Sequence, residues 1–250
     1  MSSITISLIV FACVFGGAIF GMLVRAALPE HHLSADSENI VKLGIGLVAT
    51  MAALVLGLLL ASAKNSYDTQ SSELTEMSAK IIFLDRMLAH YGPETKEARE
   101  LLRKTVSGTL DRIWSEDRKS HSQLAPSIGA EDLYGAIRGL TPKDDAQRSI
   151  QDQALSMLIG LGQTRWLMYT QGVASVSTPL LVVLVFWLTI IFISFGLFAP
   201  SNATVIASLF VSALSVSGAI FLILEFYAPY SGVLQISSAP LRAALAHLGQ

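Results

Sequence analysis

Two hydrophobic patterns divide this sequence. The first is unbroken: between Arg165 and Glu225, 59 consecutive residues include no Asp, Glu, Lys or Arg. A spanning helix needs about 20 mostly apolar residues, because lipid offers no partner for backbone N–H and C=O groups and a helix satisfies them internally. The tract therefore predicts two spans, Leu180 to Ala199 and Ala203 to Leu224, joined by a tight turn at Pro200, Ser201 and Asn202. Two further uncharged runs of 21 residues, Ile4 to Val24 and Leu43 to Ala63, bring the expected spans to four.

The second pattern is periodic. Leu74, Met77, Ile81, Leu84 and Leu88 recur at spacings of three and four, the mark of one apolar stripe on a helix that continues out of the second span. Gly92 and Pro93 end it, and Pro93 with Glu94 opens another helix to about Trp114, with Ala98, Leu101, Leu102, Val106, Leu110 and Ile113 on one face. The run Glu97, Arg99, Glu100, Arg103 and Lys104 fits the solvated face of that helix. Ser115 to Ser127 reads as a polar loop, Glu131 to Arg138 as a short helix, and Thr141, Pro142 and Asp145 open a longer helix reaching Met168. No run alternates with period two, so no sheet is expected.

These patterns predict an all-α polytopic membrane protein with a helical extramembrane extension between spans two and three. The expected divisions are 1–63 (spans one and two), 64–177 (extension), 178–228 (spans three and four) and 229–250 (C-terminal tail). Charge supports this division. Only 14% of residues are charged, against roughly 25% in soluble domains, and residues 64–177 hold 29 of the 36 formal charges. The 14 basic and 15 acidic residues of that segment leave no basic face for nucleic acid. With four spans both termini lie on the side of the extension, near Lys64, Lys80, Arg165 and Arg242, while Arg25 and Lys42 lie opposite. That asymmetry favours cytoplasmic termini and a cytoplasmic extension.

Candidate chemistry is sparse. Cys13, the single cysteine, sits in the first span and reads as a small packing residue. His31 and His32, about 100° apart on a helix, make an interfacial turn rather than a metal site. No phosphate-cradling glycine loop, nucleophile elbow, paired intramembrane carboxylates or Cys/His ligand set is present, so neither an enzyme nor a cofactor or metal is expected.

In the fourth span Ser208, Ser212, Ser215 and Ala219 share one face, opposite Leu209, Phe210 and Ile220. Two readings compete. Small residues and hydroxyls allow close helix packing, or the hydroxyls line a pore shared by several subunits. Thr50 in the second span is a further contributor to such a lining. Cys13, Gly17 and Gly21, and likewise Ala53, Gly57 and Ala61, repeat small residues four apart, which suggests a tightly packed bundle or oligomer. Glu225 is the only acidic residue attached to a span and shares a membrane face with Lys64, so it is either an ion-pair partner or an interfacial carboxylate. Trp166, Tyr227 and Tyr230 are expected as interfacial anchors on that face.

Several strings resemble a bacterial family of bestrophin-like membrane proteins. They are Phe221 to Glu225, Pro229 to Gly232, and Ile236, Ser237, Ser238, Pro240 and Leu241. Earlier in the chain they are His31 to Leu33, Lys42 to Gly44, Gly57 to Lys64, Leu84 to Arg86, and His90 to Pro93. The resemblance spans nearly the whole chain and implies four transmembrane helices. Bestrophins are oligomeric anion channels, so it also implies a homo-oligomer in the bacterial inner membrane that passes small inorganic anions. Tyr227 and Ala228 stand where an acidic and a basic residue are expected before the proline, and no acidic cluster resembles the bestrophin calcium clasp. The alternative is a non-conducting scaffold or regulatory protein whose extension binds a partner through the Leu74 to Leu88 stripe, which should then be partly exposed.

Overall fold

A computed structural model describes residues 2–27, 35–114, 129–172 and 177–250. The expected features at His31 and His32, and in the Ser115 to Ser127 loop, lie outside these residues. Among the described residues every regular element is a helix, and there is no strand. In order they form α1 (Ser3–Ala27), α2 (Ala35–Tyr91), α3 (Lys96–Ile113), α4 (Gly129–Arg138), α5 (Asp145–Gly172), α6 (Thr178–Phe198), α7 (Ala203–Phe226) and α8 (Ala239–His247). Four of these, α1, α2, α6 and α7, are long and apolar enough to cross a membrane.

The helix ends follow from local chemistry. α2 is one helix of 57 residues in which an apolar half gives way to an amphipathic one. It stops where Gly92 takes φ 138°, a backbone region open essentially to glycine, and Pro93 follows with no N–H to give. The carbonyls left unpaired at the helix end find side chains instead. Thr95 donates its hydroxyl to Leu88 O at 2.6 Å and to Gly92 O at 2.8 Å, and Gln147 Nε2 donates to Tyr91 O at 2.9 Å. The carboxylate of Asp144 accepts the Gln147 N–H at 2.7 Å near the start of α5, and the Asn202 side chain caps α7 by accepting from Val205 N at 2.9 Å.

The chain divides into two compact units, residues 1–66 with 175–228 and residues 67–174 with 229–250. In the first, α1 packs on α6 and α7. Val14, Ala18, Leu184, Ala213, Ile220 and Ile223 are fully buried there, with Ala52, Leu59 and Ala63 from α2 in the same cluster. Phe210 meets Phe11 and Phe15 edge-on, each at 5.4 Å between centroids. Gly17 and Gly21 of α1 face α6, where Thr189 and Ile193 come so close that only glycine fits at position 21.

The second unit is built on the α2 stripe. Leu74, Met77, Ile81, Leu84 and Leu88 are all buried, packed with Ala98, Leu102 and Val106 of α3, Leu133 and Ile137 of α4, and Ala154, Leu161 and Met168 of α5. Residues 229–250 belong to this core as well. Ile236, Leu241, Ala244 and Leu248 are buried in it, and Trp114 Nε1 donates to Ile236 O at 3.1 Å. Tyr230, expected as an interfacial anchor, instead packs edge-on against Trp114 inside this unit at 6.3 Å, with its hydroxyl buried. Arg99 also departs from its expected solvated face: it turns in to a carboxylate, Asp85, that the α2 stripe buries.

Candidate functional site

The small polar residues of the fourth span lie where the helix leaves its own chain. On α7, Leu209, Ala213, Ser217 and Ile220 point into the bundle and are buried. The 3.6-residue repeat then places Ser208, Ser212 and Ser215 outward, and all three are exposed. Thr50 on α2 is exposed too. Two of these hydroxyls are held by their own helices, Ser215 Oγ donating to Val211 O at 2.9 Å and Thr50 Oγ1 to Gly46 O at 2.8 Å. Each keeps lone pairs that can accept a further hydrogen bond.

The outward faces are otherwise mostly apolar. On α2, Leu43, Leu47, Met51, Leu54 and Leu58 are exposed along one side, and so are Ala53, Gly57 and Ala61. The two small-residue motifs thus part ways. Gly17 and Gly21 are spent inside the chain against α6, whereas Gly57 has nothing within 4 Å of where a Cβ would stand. Cys13 is exposed rather than packed within its own chain.

Glu225 is buried at 2% exposure near the end of α7. Its neighbours tie α7 to the second span: Lys64 Nζ lies 5.9 Å from the centre of the Phe226 ring, and the Ser62 hydroxyl is 3.4 Å from the Tyr227 hydroxyl. The cation over the aromatic face is a favourable electrostatic contact. Glu225 and Lys64, paired in sequence only by membrane side, therefore belong to one end of the first unit where α2 and α7 meet.

Among the described residues no group of three or more His, Cys, Asp or Glu side chains could hold a metal ion. Two charged features were not legible as sites. One is the Asp85 and Arg99 pair, whose signal was an aspartate lodged between Leu84 and Leu88 on an apolar stripe. The other is Arg165, which reads in sequence as a charge bounding the apolar tract and marking its membrane side, yet lines a half-open groove of the second unit.

Comparison with known proteins places this arrangement. The family model described as the Bestrophin-like domain matches residues 12–241. The chain belongs to the bestrophin-like family. Its fold is similar to a crystal structure of a mutated bacterial bestrophin homolog from Klebsiella pneumoniae, with TM-score 0.58 and 14% identity over 96% of this chain and 97% of that one. No curated protein matches the sequence. The four apolar helices and bestrophin-like membership mark an integral membrane protein, and membership supports a function of the ion-channel type.

Proposed function

We propose that this bestrophin-like protein is a homo-oligomeric ion channel for small inorganic anions, with Ser208, Ser212 and Ser215 of α7 lining the conduction path and Thr50 of α2 contributing. The observation that carries the reading is the outward exposure of all four hydroxyl residues from a mostly apolar surface. A hydroxyl facing lipid gains nothing, whereas one facing a water-filled axis between subunits can replace part of an ion's hydration shell. The exposed Ala53, Gly57 and Ala61 face of α2 supports self-association, since small residues let helices of neighbouring chains approach closely.

The scaffold reading loses its main support, because the Leu74 to Leu88 stripe that would have received a partner is covered by the chain's own α3, α4 and α5. The reading places the protein in a bacterial inner membrane with termini and residues 64–177 cytoplasmic, and assigns it no enzymatic step, cofactor or nucleic-acid partner. The packing of residues 229–250 with residues 67–174 in one unit supports a C-terminal segment on the side of the extension.

Ser212→Leu is the test of the lining. Reconstituted in liposomes, the variant is expected to pass chloride at least tenfold more slowly than the wild-type chain while keeping its oligomeric size. Unchanged conductance and selectivity would remove the α7 face from the path. Glu225→Gln probes the other end of the span. Burial makes the carboxylate's charge consequential for the groups around it, and the substitution is expected to change open probability or the oligomer's size-exclusion profile. Wild-type behaviour in both would leave Glu225 a passive residue of the bundle.

A further inference from the structure

The second unit has a half-open groove of about 360 Å³ where α2, α3, α4, α5 and α8 meet. Met77, Ile81, Leu102 and Leu133 form its buried floor, and Ile159 and Trp166 of α5 stand beside it with half of their surface open. Gly162 lies between those two on the same row of α5, exposed, with nothing within 4 Å of where a Cβ would stand. The wall thus carries a glycine notch between two large apolar side chains. Elsewhere on the unit, Phe83 of α2 is 56% exposed. At 3.6 residues per turn Phe83 lies about 120–160° round the helix from Met77 and Ile81, so the phenyl group and the groove face apart and one chain cannot bring them together. We infer that the groove is the docking site for a second copy of this chain, which inserts its Phe83 at the Gly162 notch. The inference rests on the homo-oligomer reading and names the surface through which neighbouring extensions meet.

Three observations favour a second copy as the occupant. The first is shape and polarity. An exposed phenyl group and an exposed apolar groove each gain by leaving water, and a ring laid beside Trp166 gains a further aromatic contact. The second is charge. Lys80 and Arg86 stand three residues to either side of Phe83, and Glu131 is exposed at the rim of the groove, so the two surfaces are complementary in sign. Lys80 also pairs with Glu76 at 2.8 Å, and Arg165 in the groove wall has partners of its own, so charge sets the register and the aromatic contact supplies the attraction. The third is continuity. A row at steps of three and four runs back from Phe83 along α2 to Ala61, Gly57 and Ala53, the face proposed above for self-association, and every position in it is exposed. Because the giving and receiving surfaces face apart, the contact is head-to-tail. Each chain offers Phe83 to one neighbour and receives that of another, which closes into a cycle of more than two subunits.

The test uses the full-length chain in membranes, with Cys13→Ser removing the single native thiol. Ala79→Cys is one turn from Phe83 and Gln163→Cys is next to Gly162, and both positions are exposed, so the docking residues themselves stay in place. Treated with a short bismaleimide, chains carrying both cysteines are expected to give a ladder of covalent dimers, trimers and larger species, and chains carrying either one alone are expected to give none. Phe83→Ser should cut the ladder at least tenfold, and so should Gly162→Leu, which fills the notch. Phe83 is exposed and Gly162 has open space, so both variants should leave the chain's own core intact. A charged maleimide should also modify Gln163→Cys at least tenfold more slowly than it does after Phe83→Ser. Oligomers of wild-type mass that give no ladder, a product that stops at the dimer, or a ladder that survives both variants would overturn the inference. So would a Gln163→Cys thiol shielded equally with and without Phe83 when no ladder forms, because a lipid or a different protein would then cover the groove. A wild-type chain that is monomeric by native mass spectrometry would instead remove the homo-oligomer reading, and this inference with it.

Discussion

Replacing Asp85 with Ala is expected to destabilise the second unit by about 3 kcal/mol, at the lower end of the cost of removing one partner from a buried ion pair. Asp85 is 1% exposed and accepts two hydrogen bonds from Arg99, Nε and Nη2 each at 2.8 Å. Its second oxygen also accepts the Gly249 N–H at 3.3 Å, while Arg99 donates onward to Gln250 O at 3.2 Å and Arg86 to His247 O at 3.2 Å. One carboxylate thus joins the last turn and a half of α2, the first turn of α3 and the segment after α8. Without it Arg99, whose side chain is 22% exposed, keeps a charge that water reaches only in part. The check is thermal unfolding of the purified protein together with limited proteolysis near residue 249, which should become cleavable in the variant. An unchanged midpoint with an uncut segment would show that the pair contributes nothing.

The same group sets an acid limit. Burial raises the Asp85 pKa, but the Arg99 hydrogen bonds, the Gly249 N–H and the charges of Arg99 and Arg86 outweigh it and hold the carboxyl below its ordinary value of 3.8. A depressed folded pKa means that the unfolded chain binds the proton more readily. The stabilisation is therefore complete above the ordinary carboxyl value and is lost as pH falls through the folded one. The gap in midpoint between wild type and Asp85→Asn should narrow below about pH 4 and stay constant above about pH 5.

Gly21→Leu is expected to prevent the first unit from assembling. A Cβ at position 21 would overlap the Ile193 carbonyl oxygen and lie 2.9 Å from its carbon and 3.0 Å from Leu197 N. A Cβ at Gly196 would meet the Ala18 carbonyl and stand 3.1 Å from Met22 N. Every one of these obstacles is backbone, so no rotamer change relieves the clash and α1 must move away from α6. Overpacking a core costs about 1–3 kcal/mol where side chains can yield, and a rigid helix pair should exceed that. Even Gly21→Ala and Gly196→Ala should be poorly tolerated. Gly16→Leu is the control, since nothing lies within 4 Å of its Cβ position. Yield of monodisperse protein from membranes is the readout, with at least a tenfold loss expected for Gly21→Leu and near wild-type recovery for Gly16→Leu. Equal recovery of the two would mean that α1 and α6 are not in close contact.

Long apolar runs and a three-four spacing carry most of the architecture in sequence, because a bilayer and a helical core each impose a pattern that local composition records. α4 begins at Gly129, close to the expected Glu131, and α5 begins at Asp145, one of the residues expected to open it. Partner choice was not legible. The Gly17 and Gly21 motif resembles the Ala53 and Gly57 motif, yet one is consumed inside the chain and the other left open, and the close approach of α6 at Thr189, Ile193 and Gly196 distinguishes them. The inward turn of Arg99 was likewise hidden. Helical periodicity puts it beside charged neighbours, and its pairing depends on an aspartate 14 residues earlier across the Gly92 corner. The serines at 208, 212 and 215 could be put on one face of α7 from spacing alone, but which way that face points follows from the packing of Leu209, Ala213 and Ile220.

Ion flux through the purified protein in liposomes tests the channel reading most directly, with chloride and potassium gradients compared against empty vesicles. The account predicts chloride flux well above background and above potassium flux, carried by an oligomer of defined size. Well-folded oligomers that pass neither ion across a range of pH, calcium and voltage would contradict it.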